Sequence, residues 1–176
     1  MNNQPIKCTS NGYEKEPFYL IQVNENDKRY VISLNDTFRI RIVLSGFINK
    51  SETIVDVKIK SFEDVFNPIV YSGKQDKTKI HALLTEFEEV IFHNGYHDLI
   101  IRNPDSGDCL TFDEHGLIYI DTDEDYSEVL RNLGAEHKPN ERLIHQRFHW
   151  HHSTEDGNEK LNAFINALGL VKEEIN

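Results

Sequence analysis

The stretch 96–134 constrains this chain most, because it holds three short apolar segments separated by two tight-turn sequences. The apolar segments are 99–101, 109–113 and 117–120, each of strand length and rich in Leu, Ile or Phe. The turns, 103–107 and 113–116, each end in a glycine, which can adopt the left-handed conformation that closes a hairpin. The pattern therefore predicts three consecutive antiparallel strands with positive φ at Gly107 and Gly116.

A short helix is predicted directly after the third strand. Thr122 is a suitable N-cap, and Asp125 lies three residues later, where a capping-box partner belongs. Apolar residues follow at helical spacing, and Gly134 supplies the stop signal. The apolar residues are Tyr126, Val129, Leu130 and Leu133.

The rest of the chain predicts an α+β fold, a mainly antiparallel sheet with about three helices packed on it. Further strands are predicted at 18–23, 29–34, 38–44, 53–59, 68–71 and 143–151. In 38–44, apolar side chains alternate with Arg39 and Arg41, as in a half-buried strand. Helices are predicted at 76–92 and from Ser153, with Asp156 as capping partner, to Gly169.

Length and composition predict one domain at 17–176, preceded by a polar N-terminal segment, 1–16, that frays up to Asn11. No apolar run approaches the roughly 20 residues of a membrane helix, and the N-terminus lacks the apolar core of a signal peptide. Cys8 and Cys109 do not make a disulfide framework and are expected to be reduced. We therefore expect a cytoplasmic protein that does not engage a membrane.

The net charge of −11 is concentrated in the second half of the chain. Residues 1–79 carry 12 Lys/Arg and 10 Asp/Glu, whereas residues 80–176 carry 7 and 20. Between Asn103 and Leu130 there are nine acids and no Lys or Arg. Such a field repels nucleic acid and attracts basic partners, although solubility alone also accounts for an acidic surface.

No catalytic motif is found, so no catalytic residue and no cofactor is assigned, and the chain is not expected to be an enzyme. The metal candidates are His145, His149 and His151, on one face of the predicted strand 143–151. Imidazoles spaced two apart on a strand can share a zinc, copper or nickel ion. Arg147 stands in the same row, and the alternative interpretation is a solvated strand face.

The run F-H-N-G-Y-H-D-L-I-I-R-N-P-D-S-G-D-C-L-T-F-D-E-H-G-L-I-Y-I, residues 92–120, continues into the acidic D-T-D-E-D-Y, and His149 to His151 follow as H-W-H. These features resemble bacterial immunity proteins of contact-dependent growth inhibition and other polymorphic toxin systems. The resemblance covers mainly residues 92–151. It implies a protein without catalysis that binds the toxin C-terminal domain made by the same cell, often a nuclease, and blocks its active site.

The leading hypothesis is therefore a cytoplasmic immunity protein that neutralises a cognate toxin domain, a nuclease by expectation, through an acidic surface. The acids expected to be exposed and to face the partner are Asp113, Glu114, Asp121, Asp123, Glu124 and Asp125. Two alternatives stay open: a metal-dependent enzyme that uses the histidines of 145–152, and a non-catalytic adaptor subunit.

Overall fold

A computed structural model of the chain describes residues 6–10, 16–24, 27–64 and 66–174. The strands are β1 Cys8–Thr9, β2 Phe18–Asn24, β3 Asp27–Ser33, β4 Ile54–Ser61, β5 Ile69–Asp76, β6 His97–Arg102, β7 Cys109–Phe112, β8 Leu117–Asp121, β9 Glu136–His137, β10 Trp150–His151 and β11 Val171–Lys172. The helices are α1 Thr37–Asn49, α2 Lys77–Glu86, α3 Glu88–His93, α4 Ser127–Asn132 and α5 Gly157–Leu168, with a 3-10 turn at Ile144–Gln146. The predicted α+β class is confirmed, with five α-helices in the described residues rather than about three.

Nine strands form one sheet in the order β11-β5-β4-β6-β7-β8-β3-β2-β9. Neighbouring strands are antiparallel except β2 and β9, which are parallel. A separate pair, β1 and β10, joins the N-terminal segment to the segment before α5, with Cys8 opposite His151. None of the helices in the described residues combines the length and apolar character that a membrane crossing requires.

The predicted three-strand unit is present as β6, β7 and β8, joined by two hairpin turns. Gly107 has φ of 83° and Gly116 has φ of 77°, so the predicted left-handed conformation is confirmed at both turns. The side chains around these turns differ, because a Cβ on Gly107 would meet no atom within 4 Å whereas one on Gly116 would lie 2.8 Å from Ile6 Cγ2.

Replacing Gly107 with alanine should lower the free energy of unfolding by about 1 kcal/mol, because a Cβ is disfavoured in the left-handed region. The same change at Gly116 should cost more, since Ile6 must also move. Urea denaturation of the two variants measures the difference. Equal losses would show that Ile6 moves aside without cost.

Side chains alternate between the two faces of the sheet; one face carries the main core, and the other is covered by a smaller core around β2, β3 and β8. On β3, Tyr30 and Ile32 join the main core beneath the helices, whereas Val31 joins a smaller core on the other face. The smaller core is closed by Cys8 from β1 and by Ile144 from the 3-10 turn. The predicted fraying up to Asn11 is therefore wrong for residues 6–10, which are part of the folded structure; 1–5 and 11–15 lie outside the described residues.

The strand predicted at 38–44 is wrong, because these residues belong to α1. Asp36 caps the helix by accepting the Arg39 N–H at 2.8 Å. The buried positions follow the helical period, and Phe38 is 71% exposed, although the alternation placed it inside. The buried residues of α1 are Ile40, Val43, Leu44, Phe47 and Ile48.

The boundaries of four predicted elements also change. The edge strand expected at 68–71 is β5, which continues to Asp76, and the helix expected at 76–92 is interrupted at Phe87 into α2 and α3. The capping boxes predicted from Thr122 and Ser153 do not form, because α4 begins at Ser127 and α5 at Gly157. The left-handed glycine after α5, Gly169 with φ of 70°, lies where the sequence places the helix end.

The last predicted strand, 143–151, is also wrong over most of its length. It consists of the 3-10 turn followed by an irregular segment, and only Trp150 and His151 pair with another strand. Ile144 is buried, but Phe148 is 77% exposed, so the alternation does not mark two faces of a strand. A turn at 144–146 buries Ile144 against the small core without continuing the sheet.

Candidate functional site

The six acids predicted to face a partner do not form one surface. The 113–116 turn joins β7 to β8 at one end of this hairpin, and Asp121 closes β8 at the other. Five strand residues span about 13 Å, so Asp113 and Glu114 are separated from the acids that follow Asp121. The six acids therefore lie in two separate regions of the structure rather than in the single acidic interface that the sequence predicted.

The acids after β8 lie at an end of the sheet that also carries the 103–107 turn, because Cys109 pairs with both Arg102 and Asp121. We call this region the acidic end. It consists of Asp105, Asp108, Asp121, Asp123, Glu124, Asp125 and Glu128. Five of these residues are exposed, and Asp108 and Asp121 are half-buried.

Bases from neighbouring elements neutralise part of the acidic end. Arg29 binds Asp121 with two hydrogen bonds, Nε to Oδ1 at 2.6 Å and Nη2 to Oδ2 at 3.0 Å. Lys50 forms an ion pair with Glu124. No ion pair to Asp123 or Glu128 is found within the part of the chain that the structure describes, so their charges face solvent.

Asp125 is exposed, yet it supports the fold. Its Oδ1 accepts the Ser127 N–H and the Tyr30 hydroxyl, both at 2.9 Å. The bonds from Ser127, followed by that from Tyr30, lower the pKa of Asp125 to about 2. Thr122 is buried, and its hydroxyl accepts the Glu124 N–H at 3.1 Å. Replacing either residue would change the stability as well as the surface.

Asp113 is buried, and the expectation that it is exposed is wrong. Its Oδ1 accepts the His115 N–H at 3.0 Å and the Leu117 N–H at 2.7 Å, which fixes the turn between β7 and β8. Glu114 is half-buried and donates its backbone N–H to Asp98 at 2.9 Å. These two acids therefore belong to an internal polar site rather than to an open surface.

That polar site contains three histidines from two distant segments. His115 comes from the 113–116 turn, and His149 and His151 flank Trp150 at β10. The ring centroids are 4.9 Å, 5.0 Å and 5.2 Å apart, and one ring nitrogen from each lies within 4.8 Å of the others. His145 is near, with its centroid 5.7 Å from that of His115.

The structure therefore keeps His149 and His151 of the predicted candidates and adds His115, which the sequence analysis missed. The predicted strand with a row of histidines does not exist, because residues 144–146 form a 3-10 turn. His145 therefore lies beside the cluster of His115, His149 and His151 rather than within it. His115 is distant in sequence and could not be found from local spacing. Its only signal was its place in the D-E-H-G turn.

Backbone hydrogen bonds join the segment that follows β10 to Gly95 and to the N-terminal segment. The Gly95 N–H donates to His152 O at 2.8 Å, and the His152 N–H donates to Lys7 O at 2.7 Å. A Cβ on Gly95 would lie 2.3 Å from Lys7 O and 3.1 Å from both Glu114 O and His151 Nδ1. A glycine is needed here because three segments meet above its α-carbon.

Lys7 and Asp98 place two ionisable groups in the interior beside the histidines. Lys7 is fully buried, its Nζ donates to His97 O at 2.8 Å, and the same atom lies 4.3 Å from the centroid of the Phe112 ring. Burial lowers the pKa of Lys7 to about 8, although Asp98 opposes the shift. Burial, with Glu114 as a second cause, raises the pKa of Asp98 to about 8.

Unsatisfied polar atoms and a small cavity lie in the same region. Neither ring nitrogen of buried His97 has a hydrogen-bond partner among the described residues, and the same holds for the Asn94 amide. Burial, followed by the charge of Lys7, holds the pKa of His97 well below its usual range. A cavity of about 190 Å³ opens beside His151, lined also by Phe62, Gly95, Tyr96 and Glu114.

Comparisons of this chain with protein-family models, with curated proteins and with solved structures found no match.

Proposed function

We propose that this chain is a non-catalytic binding protein that acts in the cytoplasm and neutralises the C-terminal domain of a cognate toxin. The observation that carries the proposal is the acidic end, where carboxylates are displayed from a hairpin turn and a helix start. These elements are held by the sheet, so the charges are presented without local unfolding. The resemblance of residues 92–151 to immunity proteins agrees with this role.

Charge complementarity supports a nuclease as the toxin. A nuclease needs a basic groove to bind the nucleic-acid backbone, and a protein that covers this groove must offer negative charge. Complementary charge across an interface raises the association rate and excludes wrong partners. The acids that carry this attraction are those without an internal base, chiefly Asp105, Asp123 and Glu128.

Glu124 and Asp121 contribute less in this proposal, because Lys50 and Arg29 already offset their charges. Salt bridges at an exposed surface are worth little, so a partner arginine could displace them at a small cost. Asp113 is not among the proposed contact residues, because its carboxylate accepts the His115 and Leu117 N–H groups within the turn. The proposed interface is therefore narrower than the acid-rich segment of the sequence.

The direct test is co-expression with the toxin C-terminal domain encoded next to this gene. We expect growth to be restored and a stable complex to be recovered. A metal-dependent enzyme or an adaptor subunit would not protect cells from that toxin. The absence of any toxin gene in the neighbourhood, or cell death despite folded protein, would reject the proposal.

Asp123→Asn combined with Glu128→Gln should slow association with the toxin domain and make binding less dependent on salt, if both acids lie at the interface rim. An acid that meets a base in a desolvated centre should instead raise the dissociation rate, with a loss of roughly 2–5 kcal/mol. Surface plasmon resonance at two salt concentrations separates these results.

The matched control is Glu155→Gln with Glu159→Gln, which removes the same charge near the start of α5. That helix start lies next to Asn94, on the side of the histidines, and both glutamates are exposed. Binding of the control should equal that of the unmodified chain. An equal loss of association rate in both pairs would indicate general charge attraction and place the interface away from the acidic end.

A further inference from the structure

We propose that His115, His149 and His151 bind one divalent transition-metal ion. This site is separate from the acidic end, and it is independent of the proposed toxin binding. Its argument rests on the positions of the three rings, on the groups that hold them, and on the chemistry of imidazole ligands.

The three rings form a nearly equilateral triangle, with centroids between 4.9 Å and 5.2 Å apart. Their candidate ligand atoms all lie within 4.8 Å of one another. In a tetrahedral zinc site with Zn–N bonds of 2.0–2.1 Å, ligand nitrogens lie about 3.4 Å apart. Small ring rotations therefore suffice to close the triangle around an ion.

Each ring is oriented by an oxygen at its Nδ1 atom. His149 Nδ1 lies 2.8 Å from Arg147 O, and His151 Nδ1 lies 3.2 Å from Glu114 O. His115 Nδ1 lies 3.3 Å from an Asp113 carboxylate oxygen. A ring that donates from Nδ1 to such an oxygen carries its lone pair on Nε2, and Nε2 is then the atom through which it would bind a metal.

Backbone carbonyls and a carboxylate are the usual outer partners of metal-binding histidines, because they fix the ring and increase its basicity. Asp113 is itself fixed by the two backbone N–H groups it accepts, so the support extends to a second layer. Arg147, which the sequence placed among the imidazoles, pairs instead with the Glu141 carboxylate at 3.1 Å. The positive charge of Arg147 is therefore directed to Glu141 rather than to the imidazoles.

The ligand set selects the metal. Imidazole nitrogen suits Zn²⁺, Cu²⁺, Ni²⁺ and Co²⁺, whereas Mg²⁺ and Ca²⁺ prefer oxygen. Three histidines leave a fourth position. Protein donors close to His115 are His145, whose ring centroid is 5.7 Å away, and the half-buried carboxylate of Glu114, 3.4 Å from His115 Nδ1. The bound ion would tie the irregular segment before β10 to the 113–116 turn.

The test uses purified chain with any affinity tag removed, treated with a chelator and then dialysed. Isothermal titration calorimetry with ZnCl₂ should show one ion per chain, and CoCl₂ should give the visible absorption of a four- or five-coordinate nitrogen site. MgCl₂ should give no heat of site binding. Absence of saturable one-to-one zinc binding to the folded chain would overturn the proposal.

His149→Ala and His115→Ala should each weaken zinc binding by more than about 100-fold, since loss of an outer partner alone costs about 10–100-fold. His149 lies in an irregular segment, so its variant should fold even if the turn variant does not; circular dichroism verifies this. The control is His81→Ala, a helix histidine whose Nε2 contacts Asn49 at 3.0 Å, and its affinity should not change. Equal affinity in the His149 and His81 variants would contradict the assignment.

Discussion

Replacing Gly95 with alanine should lower the free energy of unfolding by about 3 kcal/mol or more. The added carbon would lie 2.3 Å from the backbone oxygen of Lys7, a distance that non-bonded atoms do not tolerate. Lys7 O cannot rotate away, because it also accepts the His152 N–H. Relief therefore requires the N-terminal segment to separate from residues 94–96, which exposes Ile6 and Lys7.

The matched control is Gly46→Ala in the last turn of α1. A Cβ there would meet no atom within 4 Å, and the residue is exposed. Alanine in an open helix position should raise the stability by about 0.5–1 kcal/mol, because glycine loses more backbone entropy on folding. Urea denaturation of both variants should therefore give opposite signs. A Gly95 variant as stable as the parent would mean that the N-terminal segment is not packed against this glycine.

Asp98→Asn should become more stabilising as the pH rises from 5 to 8, by on the order of 3 kcal/mol over this range. Burial raises the pKa of Asp98 to about 8, whereas an unfolded aspartate titrates near 4. Between these values the folded chain keeps a proton that the unfolded chain releases. The contribution of Asp98 to the stability of the unmodified chain therefore falls as the pH rises, and asparagine removes this loss while keeping an oxygen for the Glu114 N–H.

Other charged groups around Asp98 set the limits of this measurement. Glu114 and Asp113 raise its pKa, and Lys7 lowers it. The pKa of Lys7 is itself lowered to about 8 by burial, so deprotonation of Lys7 favours the folded state only above that pH. Denaturation curves recorded at pH 5, 6, 7 and 8 keep the two effects apart. A stability difference that stays constant over this range would show that Asp98 is ionised throughout, as a partner of Lys7.

Asp125→Asn is the control with the same chemical change and the opposite shift. The pKa of Asp125 is lowered to about 2, so its contribution is complete above the unfolded value and is lost only as the pH falls towards 2. The difference between this variant and the parent should not change from pH 5 to 8. A stability difference that changes with pH in this range would show that the substitution alters the ionisation of neighbouring groups.

The two proposals concern opposite ends of the β7–β8 hairpin and can be tested independently. Toxin binding is assigned to the acidic end, and metal binding is assigned to the histidines beside the 113–116 turn. Loss of zinc in His149→Ala should leave toxin affinity intact if the ion only ties down the segment before β10. A parallel loss of both would instead place the histidines in the interface.

The local sequence was sufficient to predict the three-strand unit of β6, β7 and β8. Turn residues at 103–107 and 113–116 impose positive φ on Gly107 and Gly116 wherever the chain goes next, and the strand lengths follow from their spacing. The apolar face of α5, formed by Leu161, Phe164, Ile165 and Leu168, and the glycine that ends this helix were predictable for the same reason. In these segments the apolar period and the turn residues predict the same secondary structure, and tertiary contacts do not change it.

Tertiary structure decided the residues whose sequence fits two periods. Apolar positions in 38–44 satisfy an alternating pattern as well as a helical one, and the Asp36 cap with the five buried positions of α1 selects the helix. The sheet also determines that Asp113 turns inward and that Lys7 is buried. It joins His115 to His149 and His151 because strand register, which depends on pairings across the whole chain, places two loops side by side. No local pattern contains that register. The acidic segment could therefore be recognised from the sequence, whereas only His149 and His151 of the histidine site could be predicted.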